Sequence, residues 1–260
     1  MFNVLKIILK QIFPSLIYRF FSVLWNSPKD LFSCIFFIQN NSLNISLAGR
    51  LRILTQLYVI DFNLETLQTQ EEILNYIQTI LSLPLESKGV LVEAGCYKGS
   101  STAKFSLAAE IVGRELVVFD SFQGLPENSE PHDKNIFGGK ASFKKGDYCG
   151  SLEEVKENLS KFGKPKNVRF VKGWFDDTMP KFNEPVAAAY LDVDLAASTR
   201  TCLKYLYPLL EKGGTLYSQD GHLPLVINVF DDDDFWLNVV GFEKPPIYGL
   251  GEKKLIKIVK

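Results

Sequence analysis

A short apolar run, Gly89-Val90-Leu91-Val92, leads into Glu93-Ala94-Gly95-Cys96-Tyr97-Lys98-Gly99-Ser100-Ser101-Thr102 and then into a helical pattern from Thr102 to Val112. The run is too short for a helix and suits a strand buried on both faces of a parallel sheet. Strand, glycine-bearing turn and helix in this order are the start of a ligand-binding α/β unit. Gly95 can adopt a backbone angle that a side chain forbids, and without a Cβ it lets a ligand approach the backbone. Ser100, Ser101 or Thr102 can cap the helix, whose first N–H groups suit a carboxylate or phosphate. The glycine order is E-x-G-x-x-x-G, not the G-x-G-x-x-G of dinucleotide-binding turns, so a nicotinamide dehydrogenase fits poorly.

Strand and helix patterns alternate from Gly89 onward. Leu116 to Asp120 reads as a second strand, Leu152 to Phe162 as an amphipathic helix, Val168 to Lys172 as a third strand and Ala187 to Asp192 as a fourth. A helix from Ser198 to Leu210 ends at Lys212-Gly213-Gly214. Thr215 to Ser218 follows as a fifth strand, and Lys253 to Val259 closes the chain. This alternation predicts an α/β fold, a doubly wound, mostly parallel sheet with helices on both faces. Residues 50 to 84 read as helical, most clearly Thr69 to Leu83, and Pro84 stops that run.

Residues 1–48 differ from the rest. Phe2, Leu5, Leu9, Ile12, Leu16 and Phe20 recur near helical spacing, interrupted by Lys6, Lys10 and Arg19, and a second apolar run spans Leu31 to Ile38. No charge-free stretch reaches the roughly 18–20 residues that span a bilayer. Two readings stand: a basic amphipathic segment lying on a membrane surface, or a helix packed on the domain or across a dimer interface. The expected division is thus an N-terminal segment, 1–48, and a domain, 49–260, made of a helical cap (49–85) and a core (86–260). Four scattered cysteines without a C-x-x-C pair read as thiols of a reducing, cytoplasmic compartment. A net charge of -1 excludes a nucleic-acid binder driven by phosphate neutralisation, and two histidines exclude a histidine-rich metal centre.

In open α/β sheets ligands bind beyond the carboxyl ends of the strands. In this chain five strand ends in succession carry an acid: Glu93, Asp120, Asp176-Asp177 after Gly173-Trp174-Phe175, Asp192-Val193-Asp194, and Asp220 after Ser218-Gln219. Asp120 suits the hydroxyls of a ribose, and Trp174 and Phe175 an adenine. Asp192 and Asp220 close neighbouring strands about 4.8 Å apart, where two carboxylates repel unless protonated or bridged by a cation. Oxygen ligands of this kind suit Mg²⁺. His222 is a candidate base. His132, in the polar segment Glu127 to Gly139, is either a group on a lid over the acceptor or a solvent-exposed loop residue.

With these residues in place, the chain resembles class I S-adenosylmethionine-dependent methyltransferases through Glu93, Gly95 and Gly99. More narrowly, it resembles the macrocin O-methyltransferase family through Asp120-Ser121-Phe122-Gln123-Gly124-Leu125-Pro126, Gly173-Trp174-Phe175-Asp176-Asp177-Thr178-Met179-Pro180 and Asp192-Val193-Asp194-Leu195. Ser198-Thr199, Leu206-Tyr207-Pro208-Leu209 and Gly213-Gly214 extend the match. The resemblance implies a Rossmann-like fold and Mg²⁺-assisted O-methylation of a sugar hydroxyl in a small-molecule acceptor by S-adenosyl-L-methionine. It also implies a homodimer. Glu93, Gly95, Gly99, Ser100, Asp120, Ser121, Gly173, Trp174 and Asp192 would hold the cofactor. Asp192, Gln219 and Asp220 would hold the metal, and Asp194 or His222 would be the base. Gln219 stands where the family has an acid, and Ala196-Ala197 where it has Tyr-Glu. These departures keep two other readings open, a D-x-D glycosyltransferase and a non-catalytic, membrane-associated relative.

Overall fold

A computed structural model describes residues 28–84 and 86–260. The expectations for Phe2 to Phe20 lie outside the described residues. Among those described, no helix is long and apolar enough to cross a membrane.

Seven strands form one sheet: β1 (Val90–Ala94), β2 (Leu116–Asp120), β3 (Val168–Lys172), β4 (Val186–Leu191), β5 (Leu210–Ser218), β6 (Ile247–Tyr248) and β7 (Ile256–Val259). Their order is β3-β2-β1-β4-β5-β7-β6. The first five run parallel, and β7 pairs antiparallel with both β5 and β6. The described α-helices of four or more residues are α1 (Pro28–Gln39), α2 (Leu47–Asn63), α3 (Gln70–Leu81), α4 (Ser100–Val112), α5 (Leu152–Phe162), α6 (Phe175–Thr178), α7 (Ala196–Leu209) and α8 (Pro224–Asp231), with shorter 3-10, α and π turns besides. This is the doubly wound, Rossmann-like α/β arrangement that the alternation predicts. Neighbouring residues of a strand point to opposite faces, which divides the core in two. Leu91, Val118 and Tyr190 pack with α2, α3 and α4, while Val92, Val117 and Leu191 pack with α7 and α8.

Three local readings change. No side chain caps α4, because Gly99, with φ of 82°, occupies the cap position itself. A left-handed residue there turns the chain into the helix without help from Ser100, Ser101 or Thr102. Strand β5 starts at Leu210, not Thr215, and its register against β4 shifts between Val186 and Ala188. Gly213 and Gly214 lie inside it and exchange backbone hydrogen bonds with Lys260. Strand β6 has two residues, too few for a periodic pattern.

Residues 28–81 form a helical layer over one face of the sheet. Cys34 and Phe37 of α1 are buried in the same cluster as Leu57 of α2 and Ile77 of α3. Helix α3 starts with a reciprocal capping box between Thr69 and Glu72. Its Tyr76 hydroxyl lies 3.1 Å from the carbonyl of Ala188 and 3.2 Å from that of Val92, within donating distance of both strands. The layer is also fastened by charge. Lys104 of α4 is fully buried and ion-paired with Asp61 of α2. It also donates to Thr66 at 3.2 Å. This holds the loop between α2 and α3, which carries Gln68, against the sheet edge.

Removing one partner of a buried pair strands the other charge. Asp61→Ala should therefore cost about 3–5 kcal/mol in urea denaturation, and adding Lys104→Met should recover much of that loss. A loss below about 1 kcal/mol for Asp61→Ala would show that the buried ammonium is not the fastening.

Candidate active site

The parallel register aligns the strand ends. Ala94 pairs with Phe119 and with Leu191, Leu191 with Ser218, and Asp120 with Lys172. The residues that follow them open on a single cavity of about 620 Å³. Of the residues singled out from the sequence, Gly95, Asp120, Ser121, Gly173, Trp174, Asp192, Asp194, Asp220 and His222 line this cavity. Glu93, Gly99, Ser100 and Gln219 are not in its wall.

The turn after β1 is built by contacts between strands. Gly95 has φ of 84°, and a Cβ there would sit 1.9 Å from the carbonyl oxygen of Asp192. Backbone of the next strand, not a ligand, thus fills the space that the missing side chain leaves. Asp120 accepts from the N–H groups of Cys96 and Phe122, both at 2.7 Å. Burial nevertheless raises its pKa, against those two bonds. Each of its oxygens keeps a lone pair for another donor. Glu93 lies beneath the turn, fully buried, and accepts from Thr102 at 2.6 Å. Its Oε1 is buried with no hydrogen-bond partner. Burial lifts its pKa to about 8. Ser100 shares its hydroxyl with Thr66.

On the other half of the cavity Asp192, Asp194 and Asp220 each offer a carboxylate oxygen within 4.8 Å of the others. Asp220 accepts at 3.0 Å from the N–H groups of both Val193 and Asp194. These bonds fix the turn after β4, where Asp194 has φ of 59°. Asp192 accepts from Gln68 at 2.6 Å. Withdrawal from water raises all three carboxyl pKa values, that of Asp220 to about 7. Neighbouring carboxylates add to the rise at Asp194 and Asp220, and the charge of Lys254 acts against it at all three.

Gln219 does not join this cluster. Its carbonyl accepts from the Tyr190 hydroxyl at 2.7 Å and its amide donates to Glu72 at 2.8 Å. Both residues lie in the turn after β5, where Asp220 faces the cavity and Gln219 the helical layer. His222 does line the cavity, and burial lowers its pKa to about 4. Its imidazole is therefore neutral near neutral pH and a weak proton acceptor.

The segment after β2 closes the cavity. Residues 133–141 form a small hairpin, with Lys134 bridged to Lys140. The hairpin docks on His222: Ile136 N–H donates to the His222 carbonyl at 3.0 Å, and the Phe137 ring stacks on the imidazole with centroids 6.3 Å apart. The His132 side chain is 1% exposed, which overturns the solvent-exposed reading. It sits 2.9 Å from Glu130 and edge-on to Phe143. Glu130 in turn accepts from the N–H groups of Ala196 at 2.8 Å and Ala197 at 2.9 Å, closing the start of α7 from across the cavity. A carboxylate here satisfies orphan N–H groups and complements the helix dipole. Gln68, Glu130 and Lys254 also line the cavity. The strand-end argument missed them because none follows a parallel strand directly.

The macrocin-O-methyltransferase (TylF) family model matches residues 70–231. The chain belongs to the macrocin O-methyltransferase family. It is 34% identical over 140 residues to an 8-demethyl-8-(2,3-dimethoxy-alpha-L-rhamnosyl)-tetracenomycin-C 4'-O-methyltransferase of Streptomyces olivaceus, covering 51% of this chain and 52% of that protein. It is 32% identical over 143 residues to the mycinamicin III 3''-O-methyltransferase of Micromonospora griseorubida, covering 52% and 56% respectively. The chain thus spans about half the length of the curated relatives it matches. The structure of the O-methyltransferase NovP shares the fold, with a TM-score of 0.66 and 21% identity over 82% of this chain and 99% of that one.

Two outcomes follow from the buried carboxylates. Unfolded, Glu93 titrates near 4.5; folded, near 8. Between those values the folded state holds a proton that the unfolded state lacks, so stability falls as pH rises through that window. Glu93→Gln cannot ionise. Its melting temperature relative to the parent should climb by about 3 °C or more from about pH 5 to about pH 8.5, and a pH-independent difference would contradict the shift. For the hairpin segment, Glu130→Gln should weaken the hold on α7, read as faster amide hydrogen exchange in the first turn of that helix.

Proposed function

We propose that this protein is an S-adenosylmethionine-dependent O-methyltransferase whose acceptor is a sugar hydroxyl of a glycosylated small molecule. The observation that carries the reading is one cavity walled on one side by Asp120 and the Gly95 turn and on the other by three clustered aspartates. Family membership supports the reaction class. The two matched relatives, named for methylation of glycosylated antibiotic intermediates, support the acceptor class.

The residues present fit the cofactor. Asp120 has lone pairs left for a diol, and Trp174 and Phe175 offer apolar area. S-adenosylmethionine, when bound, supplies a methyl group already activated on a sulfonium, so the protein's task is alignment and proton removal. The donor set also fits a hard divalent cation such as Mg²⁺: Asp192 and Asp220 would hold it, with water and acceptor oxygens completing its shell. Such an ion, when bound, lowers the pKa of a coordinated hydroxyl. Gln219 is withdrawn from this role because Tyr190 and Glu72 engage its amide.

Asp194 is the base in this reading. Burial first, and then the charges of Asp220 and Asp192, raise its pKa, which makes it a stronger proton acceptor than an ordinary carboxylate. His222, lowered to about 4, suits that task less and serves as the platform for the hairpin. A glycosyltransferase reading of Asp192-Val193-Asp194 leaves the Asp120 side of the cavity without a purpose.

The test is transfer of a labelled methyl group from S-adenosylmethionine to glycosylated acceptors carrying free hydroxyls. Asp194→Asn should lower kcat by about 10²-fold or more while S-adenosylhomocysteine binds within about threefold of the parent. Nucleotide-sugar binding in place of S-adenosylhomocysteine would sink the reading.

A further inference from the structure

We propose that the outer face of α1 docks on an anionic lipid bilayer surface, together with the basic, apolar stretch of chain that precedes it. The inference is independent of the reaction proposed above.

Helix α1 is apolar on two opposite sides. Cys34 and Phe37 face the helical layer and are buried there. Polar ties fix that side in place. The buried Asp30 accepts from Glu71 N–H at the start of α3 at 3.1 Å. The Cys34 thiol lies 3.4 Å from the Tyr58 hydroxyl of α2, and the Asn40 amide just past the helix donates to Gln78 of α3 at 3.1 Å. The other side carries Leu31, Phe32, Ile35 and Phe36, whose spacing puts them on one face of the helix. All four are exposed, Phe32 to 61% and Phe36 to 67%. No charged residue interrupts Leu31 to Ile38. A helix that is apolar all round is ordinarily covered all round, and an exposed apolar patch marks a contact surface.

The composition of the adjoining chain points to what covers it. Residues 1–27 lead directly into α1, and they contain Lys6, Lys10 and Arg19 but no acid, in a chain whose net charge is -1. Apolar residues outnumber polar ones there, with Phe13, Phe20, Phe21 and Trp25 among them. The four outer side chains of α1 are too few to cover such a stretch. The partner must therefore bring extended apolar area of its own. Packing against a second copy or against this domain gives no reason for charge of one sign only. A bilayer with anionic headgroups supplies both requirements, negative charge at its surface and apolar area just beneath. Aromatic rings suit the boundary between the two.

The experiment is co-sedimentation of the full chain with vesicles of phosphatidylcholine alone and of phosphatidylcholine with phosphatidylglycerol. The parent should partition onto the anionic vesicles about tenfold more strongly or more than onto the zwitterionic ones, and added salt should reduce the difference. Phe32→Ser combined with Phe36→Ser should lower the partition about tenfold or more, whereas Phe32→Leu combined with Phe36→Leu should stay within about threefold of the parent. Both pairs change exposed positions, so melting followed by circular dichroism should match the parent. Equal partition of the parent and the serine variant overturns the role of α1, and equal partition onto the two kinds of vesicle overturns the anionic requirement. A parent that binds neither vesicle overturns the proposal outright; sedimentation equilibrium showing a dimer that the serine variant dissociates would then give the face to a second copy.

Discussion

Between Gly95 and the carbonyl oxygen of Asp192 there is no room for a methyl group. That contact fixes how closely β1 and β4 continue side by side after the last ladder pair, and Asp192 N–H donating to the Ala94 carbonyl at 2.9 Å keeps them in step. The two strands flank the point at which the sheet changes direction of winding, where α/β folds open a crevice. One close backbone approach therefore brings the glycine turn and the aspartate cluster to a shared cavity. A larger residue at 95 would part the strands and, with them, the two halves of the site.

The cavity concentrates negative charge, and the fold manages it by several means. Asp120 and Asp220 each accept two backbone N–H groups, Asp192 takes the Gln68 amide, and Glu130 is divided between His132 and the first N–H groups of α7. Glu93, beneath the cavity wall, differs in having one oxygen unpartnered and a pKa near 8. Carboxylates held this way are preorganised: their orientation is fixed by the fold, so aligning an acceptor demands little rearrangement of the wall.

Much of the architecture is legible in the residues. Strand β3 and helix α5 fall on the expected residues because each is a short pattern bounded by clear breakers, Gly173 after the strand and Ser151 and Gly163 around the helix. The alignment of the strand ends follows from the parallel order. Side-chain direction was harder to read. Gln219 and Asp220 adjoin in the chain yet face opposite ways, in a turn after β5 whose geometry a list of polar residues at strand ends does not give. His132 is buried through Glu130 and Phe143, partners in an irregular segment with no periodicity to reveal them. Lys254 reaches the site from the antiparallel hairpin, outside any rule about parallel strands.

Glu130 performs two structural tasks with one side chain. The same carboxylate that holds the segment down also completes the first turn of α7, the helix that begins directly after Asp194 and Leu195. Lifting the segment uncaps the helix, and fraying of the helix releases the segment. The opening of the cavity over the aspartates is thus coupled to a single helical turn.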